Sequence, residues 1–179
     1  LYAVWKQNVT NYTVTIHKGN WESFKLLGVD SSNVTSSSKT YTVASGTTID
    51  VDWYGKAAEN GSGANYTYTT TYTSSNYDMA SSLYGTSIGD SVVVTKNASY
   101  YPATEMKSET VYTYSYTIKY NANGGSGAPP NYSATDGFPT KTIQLSSVTP
   151  TKSGCQFLGW SKSSTAASPS YNAGSSYSF

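Results

Sequence analysis

Strict alternation of tyrosine with threonine is the feature that most restricts what this chain can fold into. Tyr66, Tyr68, Thr70 and Tyr72 share one parity, and Thr67, Thr69, Thr71 and Thr73 share the other. A second run places Tyr112, Tyr114, Tyr116, Ile118 and Tyr120 on a single parity. Successive side chains of a strand point to opposite faces, so a period of two builds a strand and scatters around a helix. Tyr and Thr favour pleated, half-exposed strands, while Gly, Asn and Ser favour turns. With 18 tyrosines in 179 residues and abundant Ser, Thr, Asn and Gly, the expected fold is all-β or nearly so.

Shorter patterns fill in the rest. Tyr12, Val14 and Ile16 alternate with Thr13, Thr15 and His17 as a strand. Trp21 to Val29 fits a strand bracketed by turn residues, with one helical turn through Phe24, Leu26 and Leu27 as the alternative. Tyr41 to Val43 and Ile49 to Trp53 read as a hairpin around Gly46. A weaker copy of that hairpin follows in Leu83 to Thr86 and Asp90 to Val94. Glu59 to Gly63 reads as the loosest loop, Tyr77 to Leu83 admits a helical turn, and Tyr100 to Ser108 reads as a loop. Residues 9–114 are therefore expected to form a β-sandwich-like middle domain. The run from Tyr112 to Tyr120 is expected to be one long strand that leaves it. A strand in place of a flexible linker makes a stiff joint, which suits a stalk.

The stretch from Tyr116 carries the most specific pattern. Ile118 and Tyr120 alternate with Thr117 and Lys119, and Asn123-Gly124-Gly125 then turns the chain. Ile143 and Leu145 share a face, and Phe157 and Trp160 offer the largest apolar surfaces. The core expected here is Ile118, Tyr120, Ile143, Leu145, Phe157 and Trp160. The string Y-x-I-x-Y-x-x-N-G-G, the step Pro150-Thr151-Lys152-Ser153-Gly154 and the box F-x-G-W at 157–160 resemble the Listeria–Bacteroides repeat, or internalin B-repeat. One departure is Cys155, which stands where that family usually has an aromatic residue. The resemblance implies a small β-grasp-like domain at 115–179, repeated on extracellular bacterial surface proteins.

Members of that family usually close with a strand reading L-Y-A-x-W. This chain opens with that string, Leu1, Tyr2, Ala3, Val4 and Trp5. By resemblance, residues 1–8 are the closing strand of a preceding or adjacent repeat, and the domain at 115–179 lacks its last strand. The expectation is that residues 1–6 of one copy complete this domain in the adjacent copy, head to tail. Such a heterologous contact builds an open filament unless its rotation closes a ring.

Composition bounds the partners. Net charge is +1 and 12% of residues are charged. Such a surface offers no electrostatic grip on nucleic acid or anionic lipid. No apolar run approaches the roughly 18 residues that span a bilayer as a helix. A host or environmental glycan or protein remains as a partner, and no cofactor is expected.

Chemistry-bearing residues are few. Asp50 and Asp52 sit two apart on a strand, about 7 Å from each other, a spacing open to an inverting glycosidase pair. The plainer reading is that Ile49, Val51 and Trp53 are the buried face and the aspartates the wet one. His17 is the only histidine and has no nucleophile elbow near it, so a structural role is expected. Calcium at Asp30 with Asn33, or at Asp50 with Asp52, and a Lys–Asn isopeptide bond from Lys18, Lys39 or Lys96, are further options. Cys155 excludes an internal disulfide and reads as a small buried residue. No enzyme is expected. Most tyrosines read as cross-strand core, while Tyr66, Tyr68 and Tyr72 form a candidate platform for stacking on sugars or a protein partner. The expected function is a structural or adhesive module of a surface protein or fibre, with a carbohydrate-binding module as the alternative.

Overall fold

The computed structural model describes residues 2–179, so Leu1 lies outside the described residues. The chain is all-β, and among the described residues there is no helix. Fifteen strands follow in order: β1 (Asn11–His17), β2 (Ser23–Leu26), β3 (Ser38–Ala44), β4 (Thr48–Tyr54), β5 (Glu59–Ser62), β6 (Tyr66–Tyr72), β7 (Ser75–Asn76) and β8 (Met79–Ala80). Then come β9 (Ser87–Gly89), β10 (Ser91–Val93), β11 (Ala98–Pro102), β12 (Ser108–Ile118), β13 (Tyr132–Asp136), β14 (Thr142–Gln144) and β15 (Ser176–Ser178). They fall into two compact units. One holds residues up to Glu59 with Thr70–Thr110, and the other holds Asn60–Thr69 with Val111–Phe179.

The first unit is built from two sheets. One runs β3-β1-β11-β8-β9, with β1 antiparallel to β3 and parallel to β11. The other runs β10-β4-β2, with β7 also paired to β4. Alternate residues of each sheet turn inward. Val14, Ile16, Tyr41, Val43 and Tyr100 meet Phe24, Leu26, Ile49, Val51 and Trp53 in one buried cluster. The two buried indoles are tied to the backbone: Trp21 Nε1 donates to Thr104 O at 2.7 Å and Trp53 Nε1 to His17 O at 2.8 Å. Buried Tyr and Trp keep a polar atom that needs such a partner.

Four local expectations are corrected here, the first being Glu59 to Gly63, which is not a loop because Glu59–Ser62 pairs with β6 as β5. The segment around Gly46 is not a hairpin: β3 pairs with β1, and β4 pairs with β2 and β10. Gly46 carries the chain from one sheet to the other, its N–H bonding Val94 O at 2.8 Å while Ser45 N–H bonds Thr10 O at 2.7 Å. A glycine turn between two β-branched runs serves a crossing between sheets as well as a hairpin. The Leu83 to Val94 copy is likewise not a hairpin, since β9 pairs with β8 and β10 with β4. Tyr100 to Pro102 is strand, not loop, because β11 lies parallel to β1 and buries Tyr100. Parallel pairing to a distant strand leaves no mark in the local sequence. Trp21 to Val29 resolves to the strand β2, and Tyr77 to Leu83 contains β8 with no helical turn.

The second unit carries a sheet ordered β13-β12-β6-β5 and the antiparallel pair β14-β15. Its buried interior is small. Tyr116 is 2% exposed and Leu145 5% exposed, with Pro129 also buried. Tyr116 OH donates to Phe138 O, and its ring meets Phe179 at 4.8 Å. Asn123 and Gly124 both take positive φ, the turn expected from their sequence.

Candidate functional site

Residues 2–10 form no strand in this chain, and all are exposed. Tyr2, Val4 and Trp5 are 99%, 97% and 88% exposed. Three large apolar side chains held in water within four residues are costly unless something covers them. No described residue of this chain does.

The second unit offers an open groove of about 700 Å³. Ile118 and Tyr120 reach it from β12 and its continuation, Leu145 from beyond β14, and Phe157 and Trp160 from the F-x-G-W box. Five of the six side chains expected as core therefore line a groove, and Phe157, Trp160, Ile118 and Tyr120 are half-buried. Trp160 meets Tyr120 at 5.0 Å and Phe157 at 4.9 Å between ring centroids. Tyr120 OH accepts from Ser146 N–H at 2.8 Å, fixing that ring at the groove floor. Ile143, the sixth, lies on β14 opposite Tyr177 of β15 and is half-buried.

The box glycine has a packing reason. Gly159 has φ +147°, and a Cβ there would sit 2.5 Å from Tyr171 O. Only glycine lets the chain approach closely enough for Trp160 N–H to bond Tyr171 O at 2.8 Å. That bridge sets the indole at the groove. Trp160 Nε1 is buried and has no hydrogen-bond partner among the described residues. A buried indole N–H without an acceptor costs about 1–3 kcal/mol, so a carbonyl supplied from outside would relieve it.

On the sheet of this unit, Tyr66, Tyr68, Tyr112 and Tyr114 gather on one face. Centroid separations are 5.8 Å for Tyr66 to Tyr112, 5.6 Å for Tyr66 to Tyr114 and 5.8 Å for Tyr68 to Tyr112. Tyr66 and Tyr68 share a face of β6, as their parity in the sequence predicts. Tyr112 and Tyr114 were legible as sharing a face on β12, but nothing in the sequence places β12 beside β6. Tyr72 belongs to the first unit, where its hydroxyl donates to Glu59 Oε2 at 2.8 Å.

The remaining candidates take structural places in the first unit. Ile49, Val51 and Trp53 are the buried face of β4, with Asp50 and Asp52 half-buried on the other. Burial first, then the charges of Asp52 and Asp90, push the Asp50 carboxyl up. Asp52 accepts from Tyr54 OH at 2.9 Å, and burial together with that bond pushes the phenol up to about 12. His17 stacks on Tyr101 at 4.2 Å. Asp30 is not a cation ligand: one oxygen takes Lys39 Nζ at 2.5 Å, and the other takes Tyr41 OH at 2.6 Å and Leu26 N–H at 2.9 Å. Asn33 spends its amide on Ser23 Oγ at 3.2 Å. Lys39 is thus engaged with an aspartate, not an asparagine. Among the described residues no three His, Cys, Asp or Glu side chains gather as metal ligands. Cys155 is exposed, not buried, because the turn at Gly154 swings it outward and Cys155 N–H bonds back to Lys152 O at 3.1 Å. No helix among the described residues is long and apolar enough to cross a membrane.

Comparison with curated proteins and with solved structures finds no match for the chain. The family comparison does find one, and it covers the part of the second unit that lines the groove. The repeat it identifies occurs in bacterial surface proteins. Residues 116–179, the segment carrying the asparagine–glycine turn, the F-x-G-W box and the groove, match the Listeria-Bacteroides repeat domain.

Proposed function

We propose that this protein is a structural or adhesive module of an extracellular bacterial surface protein or fibre, whose copies join head to tail by strand exchange. Residues 2–5 of one copy lie in the groove of the 116–179 domain of the next copy, which is either a separate subunit or the next stretch of one polypeptide. The observation that carries this reading is the pairing of two unsatisfied surfaces. An aromatic groove of about 700 Å³ stands open in the second unit, while Tyr2, Val4 and Trp5 stand in water. An extended segment supplies both side chains for such a groove and backbone carbonyls for an unpartnered donor such as Trp160 Nε1. No enzymatic step is assigned to any residue here.

The test uses a synthetic peptide of residues 1–8 and the full chain. The peptide is expected to shift the Trp160 indole N–H resonance and saturate, and a Trp5→Ala peptide to bind at least about tenfold more weakly, the loss of one buried aromatic anchor. The full chain is expected to sediment as oligomers that lengthen with concentration, and a chain lacking residues 1–6 as a monomer. A monomeric full chain together with an unmoved Trp160 resonance refutes strand exchange.

A further inference from the structure

We infer that the tyrosine face of the second unit is a binding site for a neutral, flat polysaccharide of the β-1,4-linked class. The inference is independent of how copies join. Four observations carry it.

The first is how the rings are seated. A Cβ built on Gly61 would overlap the Tyr68 ring, and one on Gly63 would overlap the Tyr66 ring. Both rings therefore lie across the neighbouring strand, in the volume where side chains would otherwise rise from the sheet. Two glycines at alternate positions create a shelf on which the half-buried rings of Tyr66 and Tyr68 recline. The second is continuity. Tyr66 touches Tyr68, Tyr112 and Tyr114 with planes 37°, 67° and 49° apart, and Tyr112 lies against Tyr114 with planes 25° apart. The rings form one surface, and each is fixed by its neighbours.

The third is that this face is the uncovered half of a buried one. Tyr116, on the same parity of β12, is 2% exposed beneath Phe179, yet Tyr112 two positions beyond Tyr114 is 43% exposed. The fourth is charge. Residues 60–69 and 111–118 contain no Asp, Glu, Lys, Arg or His. Asp136, directly opposite Tyr114 on β13, is neutralised by Lys141 at 2.6 Å. A charged ligand would lose hydration on this surface and find no counter-charge. A neutral one bears no such cost.

The ligand class follows. Outward aromatic faces attract the weakly polarised C–H faces of pyranose rings, and the tyrosine hydroxyls can meet sugar hydroxyls at the rim. A β-1,4-linked chain is a flat ribbon that shows such faces repeatedly, so it can lie on the near-parallel pair Tyr112 and Tyr114 while the inclined rings of Tyr66 and Tyr68 flank it. The rings are already in place, so little ordering cost remains for binding.

The experiment titrates the full chain with cellohexaose and with chitohexaose, following ring proton resonances of the four tyrosines. Polygalacturonate serves as the charged comparison. The expected result is saturable shifts at Tyr66, Tyr68, Tyr112 and Tyr114 with at least one neutral probe and none with polygalacturonate. Tyr68→Ala and Tyr112→Ala are each expected to weaken binding about tenfold, the loss of one stacked ring. Gly61→Ala keeps every ring but displaces Tyr68 from its seat, and it is expected to weaken binding as well. Should an alanine variant lose its fold, the wild-type shift map and the Gly61→Ala chain decide. Absence of shifts with both neutral probes overturns the inference. So do shifts centred elsewhere, binding that survives all three substitutions, or equal binding of polygalacturonate.

Discussion

Replacing Asp30 by alanine is the sharpest test of how the first unit is held together. Its side chain is 2% exposed and is the one buried charged group among the described residues. Three donors converge on it: Leu26 N–H from β2, Tyr41 OH from β3 and Lys39 Nζ, also from β3. β2 and β3 belong to different sheets, so the carboxylate links the two layers. Alanine strands the Tyr41 hydroxyl and the Leu26 amide, both in buried residues, at about 1–3 kcal/mol each. Lys39 is 47% exposed and returns to water, so its share is at most about 1 kcal/mol. The expected loss is about 4 kcal/mol, with Asp30→Asn losing roughly half of that because its oxygen still accepts. The assay is urea unfolding followed by tryptophan fluorescence, in which buried Trp21 and Trp53 report the first unit.

The pH dependence gives a second readout of the same group. Burial alone would raise the Asp30 carboxyl, but the bonds from Lys39, Tyr41 and Leu26 outweigh it and hold it below its ordinary value. A depressed folded value means that this stability is present above about pH 4 and is lost as pH falls through the folded value. Asp50 is shifted the other way, so its contribution is present at low pH and is lost as pH rises. The difference between wild type and Asp30→Asn isolates the first effect and should shrink as the solution is acidified below pH 4. An Asp30→Ala chain within about 1 kcal/mol of wild type, or a difference that does not change with acid, refutes the account.

Two further substitutions probe the second unit. Gly125→Ala places a Cβ 2.5 Å from Thr151 O and should cost about 1–3 kcal/mol in thermal unfolding by forcing apart the Ser126–Thr151 bridge. Gly127→Ala has φ +75° but open space, and should cost only about 1–2 kcal/mol; equal losses would show that the close approach is unimportant. Phe157→Ala and Trp160→Ala remove half-buried rings and should each destabilise by about 1–2 kcal/mol, against about 3–5 for Tyr116→Ala, whose ring is 2% exposed. The reverse order in a denaturant series would show that the box, not Tyr116, is the anchor.

How much of this was legible depended on whether the signal was local. Alternation placed β1, β4, β6 and β12 correctly, because a period of two is written residue by residue. The Asn123-Gly124 turn was legible for the same reason, since positive φ selects those residues. Partners were not legible. The runs on either side of Gly46 read as a hairpin because adjacency in sequence suggests pairing, yet they went to opposite sheets. Nor could apolar surface in the F-x-G-W box tell a sealed core from a groove wall. Phe157 and Trp160 are large and apolar in either case, and only the position of the 171–179 segment decides. The tyrosine site was half legible: β6 announced its own ring face, while the rings of β12 and the glycine shelf on β5 required the sheet order.

The two surfaces of the second unit would suit the different ligands proposed for them, and the difference is physical. The groove is concave and lined by edge-to-face rings, among them Trp160, whose buried indole N–H has no acceptor among the described residues. A peptide strand carries its backbone carbonyls in beside apolar side chains, so it can offer an acceptor and fill the groove together. On the tyrosine face, Tyr68 and Tyr66 lie over Gly61 and Gly63 and, with Tyr114, are half-buried, while Tyr112 is 43% exposed. A peptide strand laid there would have its own backbone donors and acceptors desolvated against aromatic carbon, at about 1–3 kcal/mol for each group left unpaired. A polysaccharide avoids this cost, because its hydroxyls lie around the ring edge and stay in water while the C–H faces stack. On the two readings proposed above, one copy would join its neighbour through the groove and hold a glycan on the tyrosine face, since neither occupant would compete for the other's surface.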